Sequence, residues 1–117
     1  EAPRDEAEPQ ARELLLRKDR PTGIVALYHE VATSLVRVAR ELGLRVGTDV
    51  DVVGWCTEGE YQRDWRPFFQ AEPAAPAVVW SPRRMAELAV SRLAERRAHP
   101  GLLPVRINVP VTLRLAE

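Results

Sequence analysis

The stretch LRVGTDVDVVGWC, residues 44–56, decides the fold prediction. Its run VDVVGW, residues 50–55, is short, apolar and rich in valine, which is typical of a buried β-strand. The strand is predicted to stop at Gly54 and to present Trp55 and Cys56 at its carboxyl end. Because ligands in open α/β sheets sit outside the carboxyl ends of strands, these two side chains are candidates for a ligand site.

The segments on either side alternate between helical and strand patterns. The sequence predicts a helix from residue 9, strands at 23–28, 50–55 and 77–80, helices at 30–43 and 82–97, an irregular connection at 57–76, and one or two closing strands within 103–115. Strands joined through crossover helices imply an α/β fold with a mainly parallel sheet and flanking helices. Residues 1–8 are predicted to be a disordered or frayed lead-in to one domain at 9–117.

The composition argues against several classes of protein. The 17 basic and 17 acidic side chains of the 117 residues cancel, whereas domains that bind nucleic-acid phosphates usually carry a basic excess. A single cysteine excludes an intrachain disulfide and a multi-thiolate zinc site. No stretch approaches the ~20 apolar residues that span a membrane, and no glycine-rich phosphate loop or GxSxG motif is present. The sequence therefore predicts a cytoplasmic protein with no membrane partner, no metal and no cofactor.

Five side chains at or just after predicted strand ends form the candidate ligand site: Tyr28, His29, Trp55, Cys56 and Trp80. Cys56 and His29 have the placement of a nucleophile and its base. The alternative is that Cys56 is a small apolar residue of the pocket and His29 a polar residue on its rim, which is the commoner role of such a pair. The two indoles are suited to stacking on a flat ring and equally to packing in the core.

The sequence resembles the effector-binding domain of the LacI/GalR family of bacterial transcription regulators. PTGIVALYH stands where that family has roughly PTAIxAxND, and LGLRVGTDVDVVGWC stands where it has LGLRVPxDVSVVGFD. PAVVW, MAELAVSRLAER and VRINVPVTLRL resemble the strand, the helix and the closing strands that follow. The resemblance covers about residues 9–115 and implies the C-terminal half of a periplasmic-binding-protein-like (type I) domain, with most of the chain in one lobe.

This resemblance implies a regulator and not an enzyme. In that family a small-molecule effector binds between two lobes, the protein is a homodimer, and a separate helix-turn-helix domain, expected to lie outside this sequence, binds DNA. Tyr28 and His29 replace the family's Asn-Asp pair, and Cys56 replaces an Asp that commonly binds a ligand hydroxyl. Carboxylates hold sugar hydroxyls by charge-assisted hydrogen bonds. The expected effector is therefore sugar-like or less hydroxylated, more aromatic or anionic, or it is absent. A periplasmic solute-binding protein of the same fold is the alternative.

The helix predicted at 30–43 is apolar over much of its circumference. Val36 widens the face set by Val31 and Leu35, so the helix needs the sheet on one side and another partner on the other. In the resembled family this helix pairs subunits across a two-fold axis, so these three residues are predicted to lie in a symmetric dimer interface. Trp65, in the polar connection, is predicted to be an interface anchor.

The helix predicted at 82–97 carries an apolar stripe of Met85, Leu88, Ala89 and Leu93. Exposure of such a stripe favours aggregation. The helix is therefore predicted to dock on the chain's own sheet or on a second subunit, with a hinge near Ser81 and Pro82.

Overall fold

Four strands form one sheet in the order β1-β2-β3-β4. The structure is a computed structural model that describes residues 4–116, with side chains from Glu6 onward. The strands are β1 (Gly23–Val25), β2 (Asp51–Thr57), β3 (Ala77–Trp80) and β4 (Thr112–Arg114). β1, β2 and β3 are parallel, whereas β4 runs antiparallel to β3. The predicted α/β class with a mainly parallel sheet is confirmed.

The helical elements are α1 (Arg4–Leu16), α2 (His29–Glu41), α3 (Glu58–Glu60), a π-helical turn (Tyr61–Trp65), α4 (Arg66–Phe68) and α5 (Pro82–Ala98). The predicted frayed lead-in at 1–8 is wrong for residues 4–8, which belong to α1, while residues 1–3 lie outside the described part of the chain. In the part of the helix before Pro9, Glu8 forms an ion pair with Arg37 of α2.

Helix α2 is buried on two sides by the chain itself. It packs on β2 with one side and on α1 with the other, and its buried residues are Ala32, Ser34, Leu35, Val36, Val38 and Ala39. The helix ends as predicted at Gly43, whose φ of +75° lies in the left-handed region. The amide of Gly43 donates to the carbonyl of Arg40 and that of Leu44 to the carbonyl of Ala39, which is the Schellman arrangement. The side of this helix that the sequence assigned to another subunit is therefore covered by α1 of the same chain.

The predicted irregular connection at 57–76 is wrong over residues 58–68, which are helical. Thr57 caps α3 by accepting from the amide of Glu60, and the Glu60 side chain accepts from the amide of Thr57. This reciprocal pair is a capping box. The π-helical turn that follows directs Trp65 into the core, where it is fully buried. Burial of this large ring stabilises the helical conformation of a segment whose sequence is polar and has no clear helical pattern.

Helix α5 begins and ends close to its predicted bounds but does not dock on the chain's own sheet. None of its residues, all within the described part of the chain, is buried, and Met85 and Leu93 are exposed. The closing strand is short, since β4 covers only Thr112–Arg114 of the predicted 103–115. The segment before β4 lies beside α5, where Arg92 donates to the carbonyl of Leu103 at 2.8 Å. The expectation that α5 folds back on this sheet is wrong, and docking on a second subunit stays a prediction.

The turn before β2 is held by Asp49, and we expect its contribution to depend on pH. The Asp49 carboxylate accepts from the Arg45 amide at 2.7 Å and from two Arg45 guanidinium nitrogens. The Arg45 hydrogen bonds lower the pKa of Asp49 from 3.8 to about 2. Because the folded pKa lies below the unfolded one, this stabilisation is present above pH 4 and is lost as pH falls towards 2. The replacement Asp49→Asn is expected to lower stability at pH 7 and to flatten its decline between pH 4 and 2, as urea titrations at several pH values would measure. An unchanged acid profile would contradict the prediction.

Candidate functional site

The carboxyl ends of the three parallel strands meet at one edge of the sheet. Tyr28 follows β1 and is the N-cap residue of α2, with an extended backbone at φ −123° and a side chain that is 63% exposed. His29 is the first residue of α2, and its side chain is only 12% exposed. β2 and β3 end at this edge with Thr57 and Trp80. The topology therefore brings together residues from three strand ends, as the sequence predicts.

Trp55 and Trp80 lie on the same face of the sheet. Trp55 pairs with Val78 and Thr57 pairs with Trp80, so the two indoles are diagonal neighbours across β2 and β3. Both side chains are partly exposed. Side chains alternate between faces along a strand, so this face is the one opposite to Cys56. The two tryptophans thus lie on one face near the carboxyl edge, and their partly exposed indoles have area available for stacking on a ring.

Cys56 lies on the covered face and is 1% exposed, with no route for a ligand to its thiol. Burial, with a smaller effect from the charge of Glu60, raises the pKa of the Cys56 thiol to about 11. Because this pKa lies far above neutral pH, Cys56 is protonated at pH 7. The thiolate, which is the nucleophilic form of cysteine, is therefore scarcely populated. The assignment of Cys56 to the ligand-contacting set is wrong for the described structure, since it packs in the core behind the edge.

His29 is surrounded by carboxylates and not by the thiol. Its Nδ1 lies 3.3 Å from Glu30 Oε2 and 3.8 Å from Glu60 Oε2, and its Nε2 lies 3.5 Å from Asp64 Oδ2. Asp64 also accepts hydrogen bonds from Arg63. Both ring nitrogens thus face acidic groups from α2 and from the helical segment 58–68. Among residues 4–116, no group of three or more His, Cys, Asp and Glu side chains is arranged to hold a metal ion.

The prediction of an irregular connection at 57–76 leaves Glu60 and Asp64 out of the candidate site. Thr57 and Glu60 have the T-x-x-E spacing of a capping box, a signal that predicts a helix start and would have found the segment. The position of Asp64 depends on the π-helical turn, in which each residue advances less around the axis than in an α-helix. That turn places Asp64 towards His29, and no helical or strand pattern in residues 57–76 specifies it.

Three of the four residues predicted to form a dimer interface are buried by contacts within the chain itself. Leu35 and Val36 are buried between α1 and the sheet, and Trp65 is fully buried with its indole N–H donating to the carbonyl of Ala75 at 2.9 Å. These three assignments are wrong because the side chains already have partners inside the chain. Val31 is partly buried and packs against the core, and its role at a dimer interface stays a prediction.

Comparisons with known proteins place this fold in a family. The profile of the periplasmic binding protein-like domain matches residues 1–115. The chain belongs to this family. A comparison with curated protein sequences finds no match.

Several solved structures with the same fold carry the names of transcription regulators, in agreement with the resemblance seen in the sequence. A transcriptional regulator CelR in complex with cellobiose is 27% identical, with a TM-score of 0.72 over 97% of this chain and 33% of its own. The lac repressor bound to ONPG is 22% identical, with a TM-score of 0.74 over 97% of this chain and 32% of its own. A LacI family regulator from Bifidobacterium animalis subsp. lactis is 19% identical, with a TM-score of 0.74 over 97% of this chain and 39% of its own. The chain thus spans about a third to two fifths of the length of these relatives.

The burial of Cys56 leads to a prediction about its reactivity. We expect the native protein to resist alkylation by iodoacetamide at pH 8, because the thiol is inaccessible and its pKa is about 11. The peptide that contains Cys56 would be followed by mass spectrometry, with the urea-unfolded protein as the control that reacts. Rapid alkylation of the native protein at neutral pH would contradict this prediction. It would support the alternative in which Cys56 is a nucleophile and His29 its base.

Proposed function

We propose that this chain is the C-terminal part of the effector-binding and dimerisation region of a LacI-family transcriptional regulator. Membership of the periplasmic binding protein-like family and the likeness to CelR over 97% of this chain support the proposal. The observation that carries it is the cluster of aromatic side chains at the carboxyl edge of the sheet, where this type of fold binds ligands. The chain acts as a sensor and not as an enzyme.

The effector is a small molecule with a flat ring and fewer hydroxyls than a monosaccharide. Tyr28 is exposed, and Trp55 and Trp80 are partly exposed on one face, so three aromatic side chains are available for stacking. Cys56 supplies no carboxylate, and it is buried away from the surface. The carboxylates of Glu60 and Asp64 instead surround His29. Ring contacts therefore replace the carboxylate–hydroxyl contacts that a simple sugar requires.

The remainder of the protein covers surfaces that are bare in this chain. Helix α5 is bare along its apolar residues, with Met85 47% and Leu93 62% exposed. Apolar surfaces of this kind are normally covered in a complete protein. We infer that these surfaces pack on the rest of a larger cytoplasmic homodimer, in which a separate domain binds DNA. Within residues 4–116, no helix is long and apolar enough to cross a membrane.

Tryptophan fluorescence of the intact protein tests the effector site. Nucleobases and aryl glycosides are expected to change the emission, and unsubstituted monosaccharides are not. The single variants Trp55→Phe and Trp80→Phe are expected to reduce the response and to weaken binding several-fold, since an aromatic contact is worth about 0.5–1.5 kcal/mol beyond area burial. Trp65→Phe is the matched control, because Trp65 is buried behind the opposite face. A response carried by Trp65 alone would contradict this placement of the site.

Operator binding separates the regulator from its alternative. The same ligands are expected to change retention of the intact protein on genomic DNA fragments in a gel-shift assay. A periplasmic solute-binding protein, which the family description also fits, would bind ligand without retaining any fragment. That outcome would refute the regulator while leaving the ligand site intact.

A further inference from the structure

A cavity lies at the opposite edge of the sheet from the candidate effector site. It has a volume of about 660 Å³ and opens between the start of β2, the turn at 43–47 and the segment before β3. Its lining includes Arg40, Leu44, Val46, Val52, Phe69 and Ala75. The seven residues of β2, at about 3.3 Å each, separate the two edges by roughly 20 Å. This cavity is therefore distinct from the candidate effector site at Tyr28 and Trp80, neither of which lines it.

The cavity exists because two neighbouring strands do not remain paired towards this edge. Pairing of β2 with β3 begins at Gly54 and Ala77, with the amide of Gly54 donating to the carbonyl of Pro76. Proline has no amide hydrogen, so Pro76 cannot donate the next ladder bond to β2. The segment before β3 diverges, and the space beside Val52 stays open. The gap thus follows from the covalent chemistry of a proline at the start of β3.

Arg40 offers a cation beside this apolar space. Its guanidinium lies 5.5 Å from the Phe68 ring centre and 5.7 Å from that of Phe69, and its Nη2 donates to Glu72 at 2.7 Å. The Glu72 carboxylate is 71% exposed, and exposed ion pairs contribute little to stability. A guanidinium has five N–H donors, of which this bond to Glu72 uses one. Arg45, the other lining arginine, is held by Asp49 at two nitrogens.

We propose that this cavity is a second ligand site, which takes a small apolar molecule with one carboxylate group. Arg40 binds the carboxylate, in place of the exposed Glu72, and the side chains of Val52, Phe69 and Ala75 contact the apolar part. The volume lies within the roughly 300–1,000 Å³ of small-molecule sites. Asp51, also on the lining, disfavours a second anionic group. No lining residue of this cavity belongs to the edge that carries the proposed effector site, so the two sites share no contacts.

Calorimetric titration of the intact protein with phenylacetate, and with phenylacetamide as its uncharged analogue, tests the proposal. Phenylacetate is expected to bind saturably, and Arg40→Gln to weaken it about tenfold or more, because a hydrogen bond to a charged group contributes roughly 1.5–3 kcal/mol. Phenylacetamide is expected to bind wild type more weakly and to be insensitive to Arg40→Gln. Glu72→Gln is expected to tighten phenylacetate binding several-fold, since it removes the competing carboxylate.

Arg37→Gln is the matched control, because Arg37 lies one turn earlier on α2 and near the Phe68 ring but outside the cavity. It is expected to leave phenylacetate binding unchanged, and circular dichroism would verify that each variant folds. Absence of saturable binding by wild type at millimolar phenylacetate would overturn the proposal. Equal weakening by Arg37→Gln and Arg40→Gln would also overturn it, as would weakening by Trp55→Phe, which would assign the binding to the effector edge.

Discussion

Replacing Trp65 by Ala is expected to destabilise the protein by about 3–5 kcal/mol, the range for removing a large aromatic side chain from a core. The ring is fully buried, packs edge-on against Phe69 at 5.2 Å between centres, and donates its N–H to the carbonyl of Ala75. Its removal leaves a cavity under β2 and frees the helical segment 58–68 from the core. The midpoint of urea unfolding of the intact protein, followed by circular dichroism, measures the loss.

Two matched variants separate the contributions of Trp65. Trp65→Phe keeps a buried ring but removes the indole N–H, so we expect a smaller loss than for Ala. Phe68→Ala removes a ring from the same helical segment that is only partly buried, and its cost should also be smaller. If Phe68→Ala cost as much as Trp65→Ala, the anchoring role would belong to the segment as a whole and not to Trp65.

Gly54→Ala is expected to cost about 1–3 kcal/mol, the usual range for overpacking a core. A Cβ at Gly54 would lie 2.6 Å from Cη2 and 2.8 Å from Cζ2 of Trp65, so the indole ring would have to move. Gly23→Ala in β1 is the matched control, because a Cβ there meets nothing within 4 Å. It should change stability by only about 0.5 kcal/mol or less. Urea unfolding of both variants gives the comparison.

The two predictions are coupled, and the coupling can be measured. If the steric contact with Trp65 causes the cost of Gly54→Ala, the same replacement should cost little when Trp65 is already Ala. The double-mutant cycle would then show strong non-additivity. Additive costs would mean that glycine is required at position 54 for a reason other than the indole ring.

Local patterns predicted most of the elements and the edge at which the candidate site lies. Apolar runs gave the strands at β2 and β3, helical spacing together with Gly43 gave α2, and helical spacing after Pro82 gave α5. These signals are local, because a residue's side-chain direction in a helix or strand follows from its neighbours along the chain. Alternating strands and helices then implied the parallel order of the first three strands.

The tertiary structure decided which apolar surfaces are already occupied. The apolar residues of α2 suggested contact with a second subunit, but α1 covers them. The sequence also predicted Trp65 to be a surface anchor, whereas the ring packs beneath β2, where Gly54 has no side chain. The structure also places Cys56 and Trp55 on opposite faces of the sheet, although the two are adjacent in sequence.

What the sequence by itself determined is the order and type of the main elements and the set of residues brought to the carboxyl edge. What only the tertiary structure decided is which of those residues face outward, how Glu60 and Asp64 come to surround His29, and where the cavity beside Val52 opens. The physical reason is that burial and cavities depend on contacts between segments distant along the chain. A helical or strand pattern shows that a face is apolar, but it does not identify the surface that covers it.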